Sequence, residues 1–281
     1  MQTKLAETAG FCFGVDRAVA LVEQAVREGK RVATLGPIIH NRHVIERFKT
    51  LGVREIAAPE EAAAGECVVI RSHGVSRAVM EALEKMGVEI VDATCPFVKK
   101  IHRIISAAAE NGQQPVIIGT RAHPEVQAIA GWCSAPLVFE LPEEFASWLA
   151  DDAKRTEIPI RMVCQTTSTQ NLWKKTCEIA KKECTNCEIF DTICKATEMR
   201  QKEATTLAKQ CDAMVVVGDA RSSNTGRLAD ICRQYCKHVA LVDSAAELDM
   251  LLLSNAKTVG ITAGASTPAW IIKEVNNKMS E

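Results

Sequence analysis

Aromatic residues are scarce, making up 4% of the 281 residues with a single tyrosine. So few rings exclude the stacking surfaces on which single-stranded nucleic acids are held. Neither sign of charge is in excess, since 34 Lys and Arg face 35 Asp and Glu, and the basic footprint of a general nucleic-acid binder is missing. No uncharged apolar run approaches the ~18 residues that a membrane-spanning helix needs. The opening MQTKLAETAG lacks the charged flank and apolar stretch of a secretion signal. The expected location is therefore the cytoplasm, with neither membrane nor nucleic acid as a partner. Common phosphate fingerprints are also absent: there is no G-x-x-x-x-G-K-[ST] loop and no G-x-G-x-x-G after a strand pattern. The C-x-x-x-C-x-x-C of radical S-adenosylmethionine chemistry does not occur either.

Cysteine is present in excess, with twelve residues. Without a secretion signal these are better read as reduced thiols and metal ligands than as a disulfide framework. Six short apolar runs have strand character: 31–36, 67–74, 115–119, 161–167, 213–218 and 258–264. Stretches of helical period separate them, as in Val15, Ala18, Val19, Val22 and Val26, or Val98, Ile101, Ile105 and Ala108. The alternation predicts an α/β protein with mainly parallel sheets covered on both faces.

Each run ends in a small polar turn: His40-Asn41, Ser72-His73, His123, Thr166-Thr167-Ser168, Ser222-Ser223-Asn224 and Ser266-Thr267. Ligands of open α/β sheets bind at these carboxyl ends, where the next helix offers unpaired N–H groups to an anion. Cys12, Cys95 and Cys194 each stand just before a helical stretch, a position that lowers a thiol's pKa. Three similar α/β modules around a centre, each giving one cysteine, is the simplest arrangement. We place them at 1–95, 96–192 and 193–281. Three thiolates suit a metal site with one open position. An iron–sulfur cluster with one iron free as a Lewis acid and a zinc with one water both satisfy that chemistry.

The motifs GFCFGVDRA (10–18), LGPIIHN (35–41), RSHGV (71–75), DATCPFV (92–98), HPEV (123–126), QTTST (165–169), DTICKAT (191–197), RSSNT (221–225) and GITAGASTP (260–268) together resemble the LytB family. The resemblance runs in order over almost the whole chain. It implies a three-lobed α/β trefoil around a central [4Fe–4S] cluster, held by Cys12, Cys95 and Cys194 with one iron open to the substrate's hydroxyl oxygen. The implied reaction is reductive dehydroxylation of 4-hydroxy-3-methylbut-2-enyl diphosphate to isopentenyl and dimethylallyl diphosphates, the last step of the non-mevalonate isoprenoid pathway. By the same resemblance the diphosphate falls to His40, His73, His123, Ser222, Ser223, Asn224 and Ser266, while Glu125 with Thr166 manages the proton. Electrons must come from outside, since no flavin or nicotinamide fingerprint is present, and the resemblance implies ferredoxin or flavodoxin as the donor.

Other readings compete at several positions. His40, His73 and His123 could simply bond within turns, and Ser222, Ser223, Asn224 and Ser266 are residues that cap helices. Cys67, Cys133, Cys164, Cys211, Cys232 and Cys236 sit in or beside apolar runs or late in the chain and read as inert thiols. ECTNC adds Cys184 and Cys187 as a C-x-x-C pair outside the family pattern, with Cys177 upstream. Glu125 would lie in a helix's first turn, where the dipole favours the ionised form, whereas a proton donor needs the opposite shift; burial next to a bound diphosphate raises its pKa, so the substrate itself is expected to help load the acid. A hydro-lyase using the open iron without net electron transfer, or an iron–sulfur sensor, would use the same three cysteines.

Overall fold

The computed structural model describes residues 1–279. The chain begins with β1 (Gln2–Leu5), α1 (Phe13–Arg27), β2 (Arg31–Leu35), α2 (Arg42–Thr50), β3 (Arg54–Ile56), β4 (Glu66–Ile70), α3 (Arg77–Met86) and β5 (Glu89–Asp92). It continues with α4 (Pro96–Glu110), β6 (Gln114–Ile118), α5 (Pro124–Ala130), β7 (Leu137–Phe139), α6 (Pro142–Ala150), β8 (Ile160–Cys164), α7 (Gln170–Glu183) and β9 (Cys187–Ile189). The last elements are α8 (Lys195–Gln210), β10 (Ala213–Val217), α9 (Ser223–Tyr235), β11 (His238–Val242), β12 (Thr258–Ala263) and α10 (Ala269–Lys278).

The strands form three four-stranded sheets, ordered β3-β2-β4-β5, β7-β6-β8-β9 and β11-β10-β12-β1. Every pairing among them is parallel. All three orders follow one scheme, except that the fourth strand of the last sheet comes from the other end of the chain. β1 lies in register with β12, Gln2 opposite Thr258 and Leu5 opposite Ile261. The six runs expected from sequence are the two inner strands of each sheet. Those strands are flanked by helices on both faces, so their residues are apolar in succession. β4 and β10 are buried at every position. Each fully buried Val, Ile or Leu side chain stabilises by about 1.5–3 kcal/mol, which makes the inner strands the anchors of the loops that follow them.

Two compact units are formed. One comprises Met1–Asp16, Ile39–Leu51 and Lys195–Glu281, and contains the sheet with β1; the other comprises Arg17–Ile38 and Gly52–Cys194, and contains the other two sheets.

The repetition extends to single hydrogen bonds. After the first inner strand of each sheet a glycine donates its N–H to the carbonyl at the end of the neighbouring edge strand. The three bonds are Gly36 to Ile56 (2.7 Å), Gly119 to Phe139 (2.9 Å) and Gly218 to Val242 (2.8 Å). After the second inner strand, the second residue of the turn accepts a bond from one cysteine's N–H. Cys12 donates to Ala265 (3.1 Å), Cys95 to Ser72 (3.0 Å) and Cys194 to Thr166 (3.0 Å). An expectation drawn from the order of motifs thus has a backbone counterpart that residue identities hide.

Candidate functional site

In the larger unit, the sequence Asp92-Ala-Thr-Cys95 turns the chain from β5 into α4. Asp92 Oδ1 accepts the Thr94 N–H at 2.9 Å, and Pro96 occupies the first helical position, where its missing N–H costs nothing. Burial pulls the Asp92 pKa up, but Lys99 at 2.6 Å and Thr94 more than offset it and hold the carboxyl below its usual range. Cys95 is the helix N-cap, yet its side chain makes no capping bond. Asp191-Thr-Ile-Cys194 repeats the device, with Asp191 Oδ1 accepting the Ile193 N–H at 3.1 Å, and α8 begins at the next residue. Both thiols are half-buried at the mouth of a helix, a setting that favours thiolate and metal ligation.

Ser72 ties the β4 turn to the preceding loop through Ile38 O at 3.2 Å, and His73 follows it. The His73 and His123 rings meet edge to face with centroids 5.4 Å apart. His123 caps α5, its Nδ1 accepting the Glu125 N–H at 3.1 Å. Capping and ligand binding are compatible here, because an accepting Nδ1 leaves the ring proton of the neutral form on Nε2. Glu125, two residues on, is 3% exposed. Thr166 holds both carboxyl oxygens, its N–H reaching Oε1 and its hydroxyl Oε2, each at 2.6 Å. Burial drives the Glu125 pKa up, against these two bonds. Protein packing alone therefore favours the protonated acid, before any substrate arrives.

Gly74 lets this turn lie against α4. Its φ is +76°, and a Cβ there would sit 2.8 Å from His102 Cε1 and 3.0 Å from Thr94 Cγ2. His102 is buried and stacked on Trp132 at 5.0 Å, and burial pushes its pKa down to about 4, so it serves as a neutral wall. Gly74→Ala is expected to destabilise the protein by about 2–4 kcal/mol, from the left-handed backbone and overpacking together. A urea denaturation series gives the value directly.

In the smaller unit, Cys12 lies before α1 at the end of a loop that α8 grips from one side. Arg200, 5% exposed, donates to Gly10 O at 2.7 Å and Ala196 O at 2.9 Å. Glu203 accepts the Glu7 and Thr8 N–H groups at 2.7 and 3.0 Å and also the Thr8 hydroxyl. Gly10 needs its positive φ of +108° to present that carbonyl. Ser266 donates to His40 O at 2.9 Å, and Asn41, next in sequence, caps α2 through Val44 N at 3.1 Å. Ser222 is the N-cap residue of α9 but makes no capping bond, and Ser223 opens that helix. Asn224 is the sharpest anomaly. It is 5% exposed, and neither amide atom has a hydrogen-bond partner. A buried unsatisfied amide costs roughly 1–3 kcal/mol, and this one is not offset by a capping bond in α9.

The model of the family described as LytB protein matches residues 3–280. The chain belongs to the LytB family. Curated relatives named 4-hydroxy-3-methylbut-2-enyl diphosphate reductase include one from Thermoanaerobacter sp. strain X514, 39% identical over 99% of this chain and 96% of that protein. One from Citrifermentans bemidjiense is 39% identical over 100% and 97%. A solved reductase of that name, whose description calls it the terminal enzyme of the non-mevalonate pathway, aligns over 100% of this chain and 99% of its own, with 37% identity and a TM-score of 0.72. The Plasmodium falciparum reductase structure, 24% identical, shares the fold with a TM-score of 0.92 over 100% of this chain and 88% of its own. With these relatives, the chain is an oxidoreductase of the LytB family.

Arg200 and Glu203 on α8 hold the loop that leads to Cys12, a contact between residues too distant in sequence for a local pattern to announce. The paired D-x-x-C at 92–95 and 191–194 was the available signal for the cysteine turns. Arg121 and Arg221 are engaged by carboxylates, Arg121 by Glu144 at 2.6 Å and Arg221 by Asp219 at 2.6 Å. Among the described residues no helix is long and apolar enough to cross a membrane.

Proposed function

We propose that this protein is a 4-hydroxy-3-methylbut-2-enyl diphosphate reductase. It removes the allylic hydroxyl as water, taking two electrons and two protons, and yields isopentenyl and dimethylallyl diphosphates. The observation that carries the reading is the recurring cysteine turn: three thiols, each at a helix mouth, are hooked by their own N–H to the loop after an inner strand. Three thiols so presented fit a cluster with one iron lacking a protein ligand. We assign Cys12, Cys95 and Cys194 as those ligands. Such a [4Fe–4S] cluster, when bound, supplies electrons singly and Lewis acidity toward the leaving oxygen.

The remaining steps belong to side chains. His40, His73, His123, Ser222, Ser223, Asn224 and Ser266 bind the diphosphate, with Asn224 gaining the partners it lacks and His123 donating from Nε2. Glu125 stores the proton on its carboxyl. When it is protonated, the hydrogen bond to Thr166 reverses, and the Thr166 hydroxyl turns its own proton toward the substrate. A soluble one-electron carrier of the ferredoxin or flavodoxin type supplies the electrons in the cytoplasm.

The test is anaerobic turnover with reduced methyl viologen, following viologen oxidation and C5 diphosphate products together. Two viologens oxidised per product are expected. A full iron complement with no product would overturn the assignment, and a product formed without viologen oxidation would make the protein a hydro-lyase.

A further inference from the structure

A cleft of about 200 Å³ in the larger unit takes no part in the reductase reading. The end of β2, the turn after β4 and the helices α3 and α5 all line it, and none of the residues assigned to the diphosphate does. Leu35, Pro59, Val75 and Val79 give it apolar walls. Its charged and hydrogen-bonding side chains are Arg71, Ser76 and Gln127, each able to donate, and no acidic side chain lines it.

Arg71, the first residue after β4, is half-buried. Its Nε donates to Gly74 O over a long 3.4 Å, and it forms no ion pair among the described residues. Glu55 acts on it only through its field, and burial pulls its pKa down in spite of that. A guanidinium keeps its proton even so, and a desolvated charge without a counter-ion is costly. Gly36 makes room for it: φ there is +70°, and a Cβ would sit 2.6 Å from Arg71 Nη1. The wall thus gives up a side chain to admit a cation that no carboxylate meets. Ser76 accepts the Val79 N–H at 3.3 Å, which leaves its own proton uncommitted. Gln127 is exposed on α5, and its amide makes no bond among the described residues.

We propose that this cleft binds a small organic phosphate monoester, the phosphate on Arg71, Ser76 and Gln127 and the carbon chain against the apolar walls. The planar fork of a guanidinium meets two phosphate oxygens at once. Three separate donors exceed what the two oxygens of a carboxylate need and match the three terminal oxygens of a monoester. Such a site shares no residue with the one assigned to the diphosphate.

The experiment labels the full, iron-loaded protein with phenylglyoxal, which modifies guanidinium groups, and reads the sites by mass spectrometry. Cleavage after glutamate places Arg71 and the exposed Arg77 in one peptide, residues 67–81, and fragmentation tells them apart. Isobutyl phosphate at about ten times its dissociation constant is expected to slow labelling of Arg71 about tenfold, by mass action, with Arg77 unchanged. Inorganic phosphate should need at least about tenfold more, the worth of roughly two buried CH₂ groups. Gln127→Leu should weaken protection by the ester about tenfold, as loss of one hydrogen bond to a charged group does, with turnover intact. No protection of Arg71, equal protection of Arg77, or protection that Gln127→Leu leaves unchanged would each overturn the proposal. Inorganic phosphate as effective as the ester, or protection by isovalerate alone, would overturn it too, the first by removing the apolar part and the second in favour of a carboxylate.

Discussion

Glu125→Gln is expected to lower kcat by about 10³-fold, within the 10²–10⁴ typical of a lost general acid, in a protein that still folds and still binds diphosphate. Gln keeps the shape and can bond to both Thr166 groups, so the loss isolates the proton. Wild-type activity should fall as pH rises through the raised pKa of Glu125, because only the protonated acid can deliver. Stability follows the same titration. A carboxyl whose folded-state pKa lies above its unfolded value contributes stability that is fully present below the unfolded pKa and is lost as pH rises through the folded one. Denaturation of wild type and Glu125→Gln across pH should therefore show the variant gaining on wild type from about pH 4 upward. A variant that retains wild-type turnover at every pH removes Glu125 as the acid.

Substituting any one of Cys12, Cys95 and Cys194 by Ser should abolish turnover to background and lower the iron content measured on anaerobically purified protein. The hooking bonds are made by backbone N–H groups, so serine retains the turn and only the ligand atom is lost. Cys232→Ala is the matched control. Burial pushes that thiol up to about 12, it is packed among α8, α9 and β10 residues, and its removal should cost about 1 kcal/mol of stability with iron and turnover intact. Equal iron loss in Cys232→Ala and Cys95→Ser would contradict the three-cysteine assignment.

The pattern of what could be read from sequence has a physical cause. The inner strands announced themselves because burial on two faces demands an unbroken apolar run, as in Ala213–Val217. The edge strands β1, β3, β5, β7, β9 and β11 did not, since one side needs no partner and residues such as Glu89 and His238 remain exposed. The helices after Cys12, Cys95 and Cys194 begin where expected, because Pro96 and the apolar spacing leave few other starts. The upward pull on Glu125 was expected from substrate, whereas the fold supplies it through the burial of α5. The lack of partners at Asn224 depends on atoms distant in sequence, and no local pattern encodes it.

β1 gives the order of events during synthesis a particular form. It is made before the other strands, yet its partner β12 is made after all of them. Chain from Gly52 to Cys194 carries nearly all of the larger unit and can collapse while translation continues, since domains generally fold as units as they emerge. The segment bearing Cys12 cannot complete its own sheet until residue 263 is out. The cysteine encoded first is thus the last to reach its place.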